Sequence, residues 1–274
     1  MKSDILLDRL SLDGKVVAIT GGGSGLGRAM VDALARAGAN LSIAGRRQEP
    51  IDAAAAAVRS RGGDALALST DVSDSRQVDR YIAATIEHFG RLDVLINNAA
   101  LVSDNAPTPI WEITDEEWQR NLNVNLNGAF YCARAAARPM VDQGWGKIIN
   151  VASGFGLRGG RDIHMYCVSK GGIINFTRSL SFSLARYGVT ANSIVPGFIP
   201  TEGTDSAIRE TLPQSGDFLP IGKLGQPADI GPVAVFLASA ASDYMTGETF
   251  TLDGGGLAGG LAPTGYAPLV DLEP

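Results

Sequence analysis

The 274-residue chain has few of the residues that build disulfide frameworks and metal sites. It contains two cysteines, Cys132 and Cys167, and two histidines, His88 and His164. Two cysteines cannot form a framework of disulfides, so a reducing compartment fits this composition best. Because the cysteines and histidines show no metal-ligand spacing, we expect no metal site.

Two further absences exclude whole classes of function. The chain has 23 basic and 29 acidic residues, a net charge of −6, so it has no excess positive charge to neutralise nucleic-acid phosphates. No stretch reaches about 18 uninterrupted apolar residues, and the N-terminal segment MKSDILLDRLSLDGK contains acids and no signal-like apolar core. We therefore expect no nucleic-acid partner, no membrane span and a cytoplasmic location.

Glycine is abundant, with 34 residues, and the chain alternates between strand-like and helix-like patterns. Short aliphatic or β-branched runs predict strands at Val16–Thr20, Leu41–Ala44, Leu66–Thr70, Val94–Asn97, Ile148–Val151, Thr190–Val195 and Thr249–Leu252. Helical patterns lie near 25–37, 50–61, 75–89, 115–142, 164–187 and 227–238. This rhythm predicts a single α/β domain with a doubly wound, seven-stranded parallel sheet that helices cover on both faces.

The segment after the first predicted strand has the features of a phosphate-binding turn. Gly21 permits a tight turn, while Gly25 and Gly27 let the backbone approach a pyrophosphate and pack the helix on the strand. A helix that starts near Gly25 presents free N–H groups to the anion. Its position between a strand and a helix favours dinucleotide binding over an ordinary strand–helix turn.

The end of the second predicted strand indicates which dinucleotide binds. An acidic residue about 20 residues after the glycine loop would select NAD by bonding the ribose hydroxyls. This strand instead ends in Arg46 and Arg47, and guanidinium groups match the oxygens of a 2′-phosphate. We therefore expect NADP. NAD is the alternative, because the arginines could also be a solvated pair that leaves either cofactor acceptable.

Several motifs occur in an order that resembles the short-chain dehydrogenase/reductase family in its one-domain form. They are TGxxxGxG at Thr20–Gly27, Asp71-Val72, NNAA at Asn97–Ala100, Asn125, Ser153, YCVSK at Tyr166–Lys170, and Pro196-Gly197 with Thr201. The resemblance covers roughly residues 12–256. It implies a Rossmann-like, NAD(P)-binding catalytic domain over residues 1–256. This chain has Ala100 where the family usually has glycine.

The glycine loop, the arginines and the resemblance together give an expected set of cofactor-binding residues. They are Gly21, Ser24, Gly25, Leu26, Gly27, Arg46, Arg47, Asp71, Val72, Asn98, Ala99, Tyr166, Lys170, Pro196, Gly197, Ile199 and Thr201. By resemblance, Asp71 and Val72 would meet the adenine. Asn98 and Ala99 would meet the adenosine ribose or the chain nearby. Ile199 and Thr201 would hold the nicotinamide carboxamide.

Tyr166 and Lys170 lie four residues apart on a predicted helix and so share one face. A free tyrosine, with a pKa near 10, is almost wholly protonated at pH 7. A nearby ammonium and an oxidised nicotinamide would both favour the phenolate. We therefore expect Tyr166 to exchange a proton with an alcohol or a ketone near working pH.

Two more residues complete the expected catalytic set. Ser153, thirteen residues before Tyr166, would bring its hydroxyl to the same substrate oxygen and stabilise charge there. By resemblance, Lys170 would also bond the nicotinamide ribose. Asn125 would hold a water that links Lys170 to solvent, although Asn123 and Asn127 lie in the same stretch.

These residues predict an oxidoreductase that transfers a hydride between NADP(H) and a small ketone, secondary alcohol or polyol. One alternative is a 3-oxoacyl-thioester reductase acting on acyl-carrier protein. That activity would favour basic docking residues where this chain has Asp142, Gln143 and Phe182. The other alternative is a non-catalytic NADP(H)-sensing protein, although such proteins typically lose the Tyr/Lys pair.

Substrate contacts are expected from Leu101–Trp111, Gly154–Arg161 and a mobile lid over about 198–222, which follow predicted strands. Two interpretations of His164 stay open: it contacts the substrate, or its role is structural. The Gly/Pro-rich tail over 257–274 is either disordered or docked on a neighbouring surface. The family is usually tetrameric, so we expect a homotetramer built through the helices at 115–142 and 164–187 and the last strand.

Overall fold

One parallel sheet organises the chain. The computed structural model describes residues 5–101, 107–202 and 218–258. Its strands are β1 (Val16–Thr20), β2 (Asn40–Gly45), β3 (Ala65–Ser69), β4 (Val94–Asn97), β5 (Gly146–Val151), β6 (Val189–Pro196) and β7 (Thr249–Leu252). All neighbouring strands pair in parallel, in the order β3-β2-β1-β4-β5-β6-β7. The predicted doubly wound sheet is confirmed, and each predicted strand agrees within two residues at either end.

Helices cover both faces of this sheet, as continuously apolar strands require. They are α1 (Ile5–Leu10), α2 (Gly25–Arg36), α3 (Gln48–Arg59), α4 (Ser75–Phe89), α5 (Asp115–Leu122), α6 (Gly128–Gln143), α7 (His164–Leu184) and α8 (Ile230–Ala238). Helices α2, α3 and α8 bury their apolar sides on one face. Helices α4, α6 and α7 pack on the other. The result is a single Rossmann-like domain with a core on each side of the sheet.

The stretch predicted as one helix over 115–142 is helical throughout, but one turn inside it is not α-helical. Helix α5 ends at Leu122, a π-helical segment spans Asn123–Asn127, and α6 begins at Gly128. Asparagine side chains here bond one another along the chain: Asn127 Nδ2 donates to Asn123 Oδ1 over 2.8 Å. Such polar side chains compete with regular helical bonding, and the widened turn buries Asn125.

The other helix predictions fail only at their ends. The helix predicted to 187 ends at Leu184 and continues as a 3₁₀ turn, and the one predicted from 227 begins with a 3₁₀ turn at Pro227–Asp229. Helix α1 was not predicted. It has only six residues, too few for a helical period to be recognised, and Arg9 Nη2 ties its end to the Ala240 carbonyl over 2.7 Å.

The lid and the tail are described only in part. Residues 203–217 of the predicted lid and 259–274 of the predicted tail lie outside the described residues. At the two ends of the lid, the rings of Phe198 and Phe218 meet edge to face at 5.1 Å. At the start of the tail, Leu257 packs against a buried cluster that includes Ala152 and Ile173. None of the helices described here could cross a bilayer.

Candidate active site

The glycine loop forms a cradle at the carboxyl end of β1, where strand order reverses between β1 and β4. Gly21 and Gly25 have positive φ angles of 67° and 55°, which side chains rarely adopt. A Cβ on Gly27 would lie 2.5 Å from Asn98 Nδ2 and would overlap the Gly21 carbonyl oxygen. The turn therefore has no room for side chains, and it lies where doubly wound sheets bind nucleotides.

Thr20 and Asn98 fix this turn to the neighbouring strand. Thr20 Oγ1 accepts hydrogen bonds from the backbone N–H groups of Asn98 and Ala99, at 3.1 and 3.0 Å. Asn98 Nδ2 donates to the carbonyls of Thr20 and Gly21, at 3.0 and 3.2 Å. The Asn98 side chain expected at the adenosine ribose is therefore engaged in holding the glycine loop.

The N-terminus of α2 opens toward this turn. Ser24 is the N-cap residue, and its hydroxyl does not cap the helix, so the side chain leaves the first N–H groups of α2 open to a ligand. Leu26 packs into the core cluster and anchors the first helical turn. The Thr201 side chain lies against Gly25, 3.3 Å from where a Cβ would stand, which brings the segment after β6 over the cradle.

Arg46 and Arg47 lie at the carboxyl end of β2, and both are exposed. Within the described ranges, neither guanidinium pairs with a carboxylate. Arg47 is also the N-cap residue of α3. Both guanidinium groups are therefore available to bond an anionic group at this end of the sheet.

The remaining expected cofactor residues border the same edge of the sheet. Asp71 turns its carboxylate onto its own loop, where Oδ1 accepts from the Ser73 N–H and hydroxyl at 2.9 and 2.7 Å. Val72 is buried against Gly128. After β6, the Gly197 N–H donates to the Leu252 carbonyl over 2.9 Å, which fixes the Pro196-Gly197 turn against the end of β7. Ile199 packs against Gly225. The protein groups thus fit a dinucleotide site.

Ser153, Tyr166 and Lys170 converge beyond the end of β5. Ser153 begins a 3₁₀ turn, where its Oγ accepts from the Phe155 N–H over 3.2 Å, and its hydroxyl is near enough to Tyr166 to lower the pKa of the phenol. Lys170 is 3% exposed, and its Nζ lies 5.7 Å from the centre of the Tyr166 ring. Gly156 lets the turn approach α7, since a Cβ there would lie 2.6 Å from the Lys170 carbonyl oxygen.

Burial shifts the pKa values of both titratable groups of this cluster. It raises the pKa of the Tyr166 phenol, and the Ser153 hydroxyl opposes this only in part. Burial also lowers the pKa of Lys170 to about 8. The Lys170 Nζ donates to the Val151 carbonyl over 2.8 Å. The protein groups alone therefore do not lower the pKa of Tyr166, and the expected lowering depends on the charge of the oxidised cofactor.

Asn125 lies in the π-helical segment and is 2% exposed. Its side chain bonds both backbone groups of Leu101: Oδ1 accepts from the N–H over 2.6 Å, and Nδ2 donates to the carbonyl over 3.3 Å. Nδ2 also donates to Asn121 Oδ1 over 3.0 Å. The side chain thus holds the segment that follows β4, which is a different contact from the expected water.

Several residues of this region escaped prediction. Asn97 Nδ2 donates to Asn150 Oδ1 over 2.8 Å, and Asn150 Nδ2 donates to Thr177 Oγ1 over 2.9 Å, which joins β4, β5 and α7. Two asparagines inside apolar strand runs were the signal that this network was present. Phe155 belongs to the segment Gly154–Arg161 expected to contact substrate, and its ring lies edge to face at 6.3 Å from that of Tyr166.

The remaining candidates have separate surroundings. His164 Nε2 lies 3.8 Å from Asp162 Oδ1 at the start of α7. Cys132 is buried, and Cys167 follows Tyr166; both are free thiols. No cluster of three metal-ligating side chains occurs in the part of the chain that the structure describes.

Comparisons with known proteins agree with this geometry. A family model described as Enoyl-(Acyl carrier protein) reductase matches residues 21–256. A sorbitol dehydrogenase from Cereibacter sphaeroides is 38% identical over 258 residues, covering 90% of this chain and 98% of that protein. A 3-oxoacyl-[acyl-carrier-protein] reductase from Synechocystis sp. is 36% identical over 247 residues, covering 89% and 98%.

A solved structure is also similar over nearly its whole length. It is a gluconate 5-dehydrogenase from Burkholderia cenocepacia J2315 in complex with NADP and tartrate, with a TM-score of 0.85 and 35% identity. The alignment covers 91% of this chain and 98% of that one. The sequence motifs, the fold and these relatives lead to one conclusion: the chain belongs to the short-chain dehydrogenase/reductase family and is an NAD(P)-dependent oxidoreductase.

Proposed function

We propose that this protein interconverts a small secondary alcohol or polyol and the corresponding ketone, with NADP(H) as cofactor. The observation that carries the proposal is the cluster of Ser153, Tyr166 and Lys170 beyond β5, on the same sheet edge as the glycine cradle. A sorbitol dehydrogenase and a gluconate 5-dehydrogenase among the relatives support this class of substrate.

Each residue of the cluster has one role in the proposal. The Ser153 hydroxyl donates to the substrate oxygen and holds it beside the Tyr166 phenol. Tyr166 Oη gives a proton to that oxygen during ketone reduction and takes it back during alcohol oxidation. The Lys170 ammonium favours the phenolate through its positive charge. The bound cofactor supplies the hydride-transfer chemistry.

Replacing Tyr166 by phenylalanine tests this proposal. Tyr166→Phe keeps the ring and removes the proton donor, so kcat should fall at least about 100-fold while the Kd for NADPH changes little. Tyr187→Phe is the matched control, because Tyr187 lies in the 3₁₀ turn after α7 and should leave kcat unchanged. Absorbance of the reduced nicotinamide reports both. Retained turnover in Tyr166→Phe would refute the assignment.

The preference for NADP is proposed from the free guanidinium groups at the end of β2. Replacing both Arg46 and Arg47 by alanine should lower the ratio of kcat/KM for NADP over that for NAD by about 10- to 100-fold, the loss expected for hydrogen bonds to a charged group. Arg36→Ala, an exposed change in the last turn of α2, is the control. A wild-type ratio below one would contradict the preference itself.

A free small molecule is preferred over an acyl-carrier-protein thioester as substrate. Acyl-carrier protein is acidic, and this chain itself has a net charge of −6. Of the positions considered for docking, Phe182 is 92% exposed and Asp142 is paired with Arg138 over 2.9 Å. An apolar ring and a neutralised ion pair offer little attraction to an acidic partner.

We also propose that the protein is a homotetramer built partly through α6 and α7. These helices present exposed apolar side chains, among them Phe130, Val168 and Phe182, which contact with another subunit would bury. Light scattering that gave only a 28.6 kDa species would contradict this proposal.

A further inference from the structure

The loop between the 3₁₀ turn of Ser153 and helix α7 contains a cation with no carboxylate to neutralise it. The charged groups of this loop are Arg158, Arg161, Asp162 and His164. Arg161 Nε and His164 Nε2 both lie near Asp162, at 3.7 and 3.8 Å. Arg158 has no carboxylate partner in the described part of the chain, so its positive charge is left uncompensated.

Arg158 is also held in place at this position. Its guanidinium carbon lies 4.9 Å from the centre of the Phe155 ring, a separation typical of a cation–π contact. Phe155 in turn lies edge to face against Tyr166, with ring centres 6.3 Å apart. The Phe155 ring therefore contacts both the guanidinium and the ring of the proposed proton donor.

The hydrogen bonding of Arg158 is incomplete. Its Nε atom is buried, yet no acceptor for it exists among the described residues. A buried donor without a partner costs free energy, and a bound acceptor near the guanidinium would offset part of that cost. A guanidinium stacked by one face on a ring still presents its N–H edge to a planar or tetrahedral anion.

We propose that Arg158 binds an anionic group of the substrate, so that the enzyme prefers a hydroxy or oxo compound carrying a carboxylate or a phosphate over a neutral polyol of the same length. This inference rests on the proposed function, since it assigns the substrate class of the same site. It adds a specificity-determining residue that bonds the substrate at a distance from the atoms that react.

Matched probes isolate this interaction. Gluconate and sorbitol differ only at C1, which is a carboxylate in gluconate and an alcohol in sorbitol, and sorbitol 1-phosphate carries a phosphate ester at that same end. Binding of each to the enzyme–NADPH complex is measured by calorimetry, and kcat/KM is measured wherever turnover occurs. Wild-type protein should bind at least one anionic probe about 10- to 100-fold more tightly than sorbitol. The anionic probe that binds more tightly identifies the anion that Arg158 prefers.

The variants separate recognition from structure. Arg158→Met keeps an apolar stem of similar length on Phe155 and should abolish the preference for the anion, while sorbitol changes by less than about threefold. Arg158→Lys should retain part of the preference. Arg161→Met is the control, since Arg161 is 97% exposed and belongs to the same loop. This variant should retain the whole preference for the anionic probe.

Three outcomes overturn the inference. They are a wild-type protein that binds sorbitol as tightly as both anions, an Arg158→Met variant that keeps the preference, and an equal loss for anionic and neutral probes. The last would mean that Arg158 only supports the loop. Failure of the proposed function looks different: no probe would be turned over, while the binding difference and its dependence on Arg158 would persist.

Discussion

Adding one methyl group at Gly27 should damage cofactor binding more than it damages the fold. In Gly27→Ala, the new Cβ would lie 2.5 Å from Asn98 Nδ2 and closer still to the Gly21 carbonyl oxygen. Neither atom can move freely, because Asn98 Nδ2 also bonds the Thr20 carbonyl and Gly21 sits in a turn with a φ of 67°. The turn must shift as a unit.

Opposing terms set the size of the effect on stability. Overpacking of this kind costs about 1–3 kcal/mol, whereas alanine is about 1 kcal/mol more favourable than glycine within a helix. The net loss of folding free energy should therefore be at most about 2 kcal/mol. That lowers Tm by roughly 4–8 °C for a chain of this size, and the variant should remain folded at 25 °C.

Cofactor affinity has no such compensation. The displaced turn carries the N–H groups that would bond a pyrophosphate, and loss of one charge-assisted hydrogen bond costs about 1.5–3 kcal/mol, or roughly 10- to 150-fold in Kd. Fluorescence titration with NADPH measures the Kd, and calorimetry measures Tm. Gly159→Ala is the control, since a Cβ there meets nothing within 4 Å. An unchanged Kd in Gly27→Ala would refute the assignment of the glycine turn as the cofactor-binding site.

Two further predictions concern lysines. Lys147 Nζ lies 2.9 Å from Asp243 Oδ1, and burial lowers the pKa of Lys147. At neutral pH the buried ammonium therefore reduces the free energy of unfolding, and this loss disappears as the pH rises above both the folded and the unfolded pKa of Lys147. Lys147→Met should keep or raise Tm at pH 7, whereas Asp243→Ala should lower it by roughly 2–4 °C, about 1 kcal/mol after allowing for solvent around the half-exposed carboxylate; calorimetry that gave the reverse order would contradict this. For alcohol oxidation, kcat/KM should rise with pH as the Tyr166 phenol of the cofactor complex loses its proton, and in Lys170→Met the rise should shift to higher pH because the ammonium, which favours the phenolate below its own pKa of about 8, is gone. An unshifted profile would remove Lys170 from the proton chemistry.

The arrangement of the sheet followed from sequence because its signals are local. A run such as Val16–Thr20 followed by glycine and a helical pattern predicts a strand–turn–helix unit on its own, and repetition of that unit leaves few topologies. The spacing of Tyr166 and Lys170 was sufficient to place both on one helical face. Each of these inferences used residues within about ten positions of one another.

What could not be predicted depends on contacts between distant segments. The bonds from Asn125 to Leu101 cross 24 positions, and the pair formed by Asn97 and Asn150 crosses 53. No periodicity marks such partners. The pKa of Tyr166 was not predictable for the same reason, because burial by surrounding segments moves it in the opposite direction from the nearby ammonium.

One hydroxyl group has a consequence that extends across the cleft. Thr20 Oγ1 accepts hydrogen bonds from the N–H groups of Asn98 and Ala99. Two residues further along the same segment, Asn125 hydrogen-bonds both backbone groups of Leu101. The phosphate turn and the widened helical turn are thus links of one short chain of hydrogen bonds. A redesign of the glycine turn near Thr20 will therefore also strain the segment that Asn125 holds, whereas exchange of the exposed Arg46 and Arg47 leaves these hydrogen bonds in place.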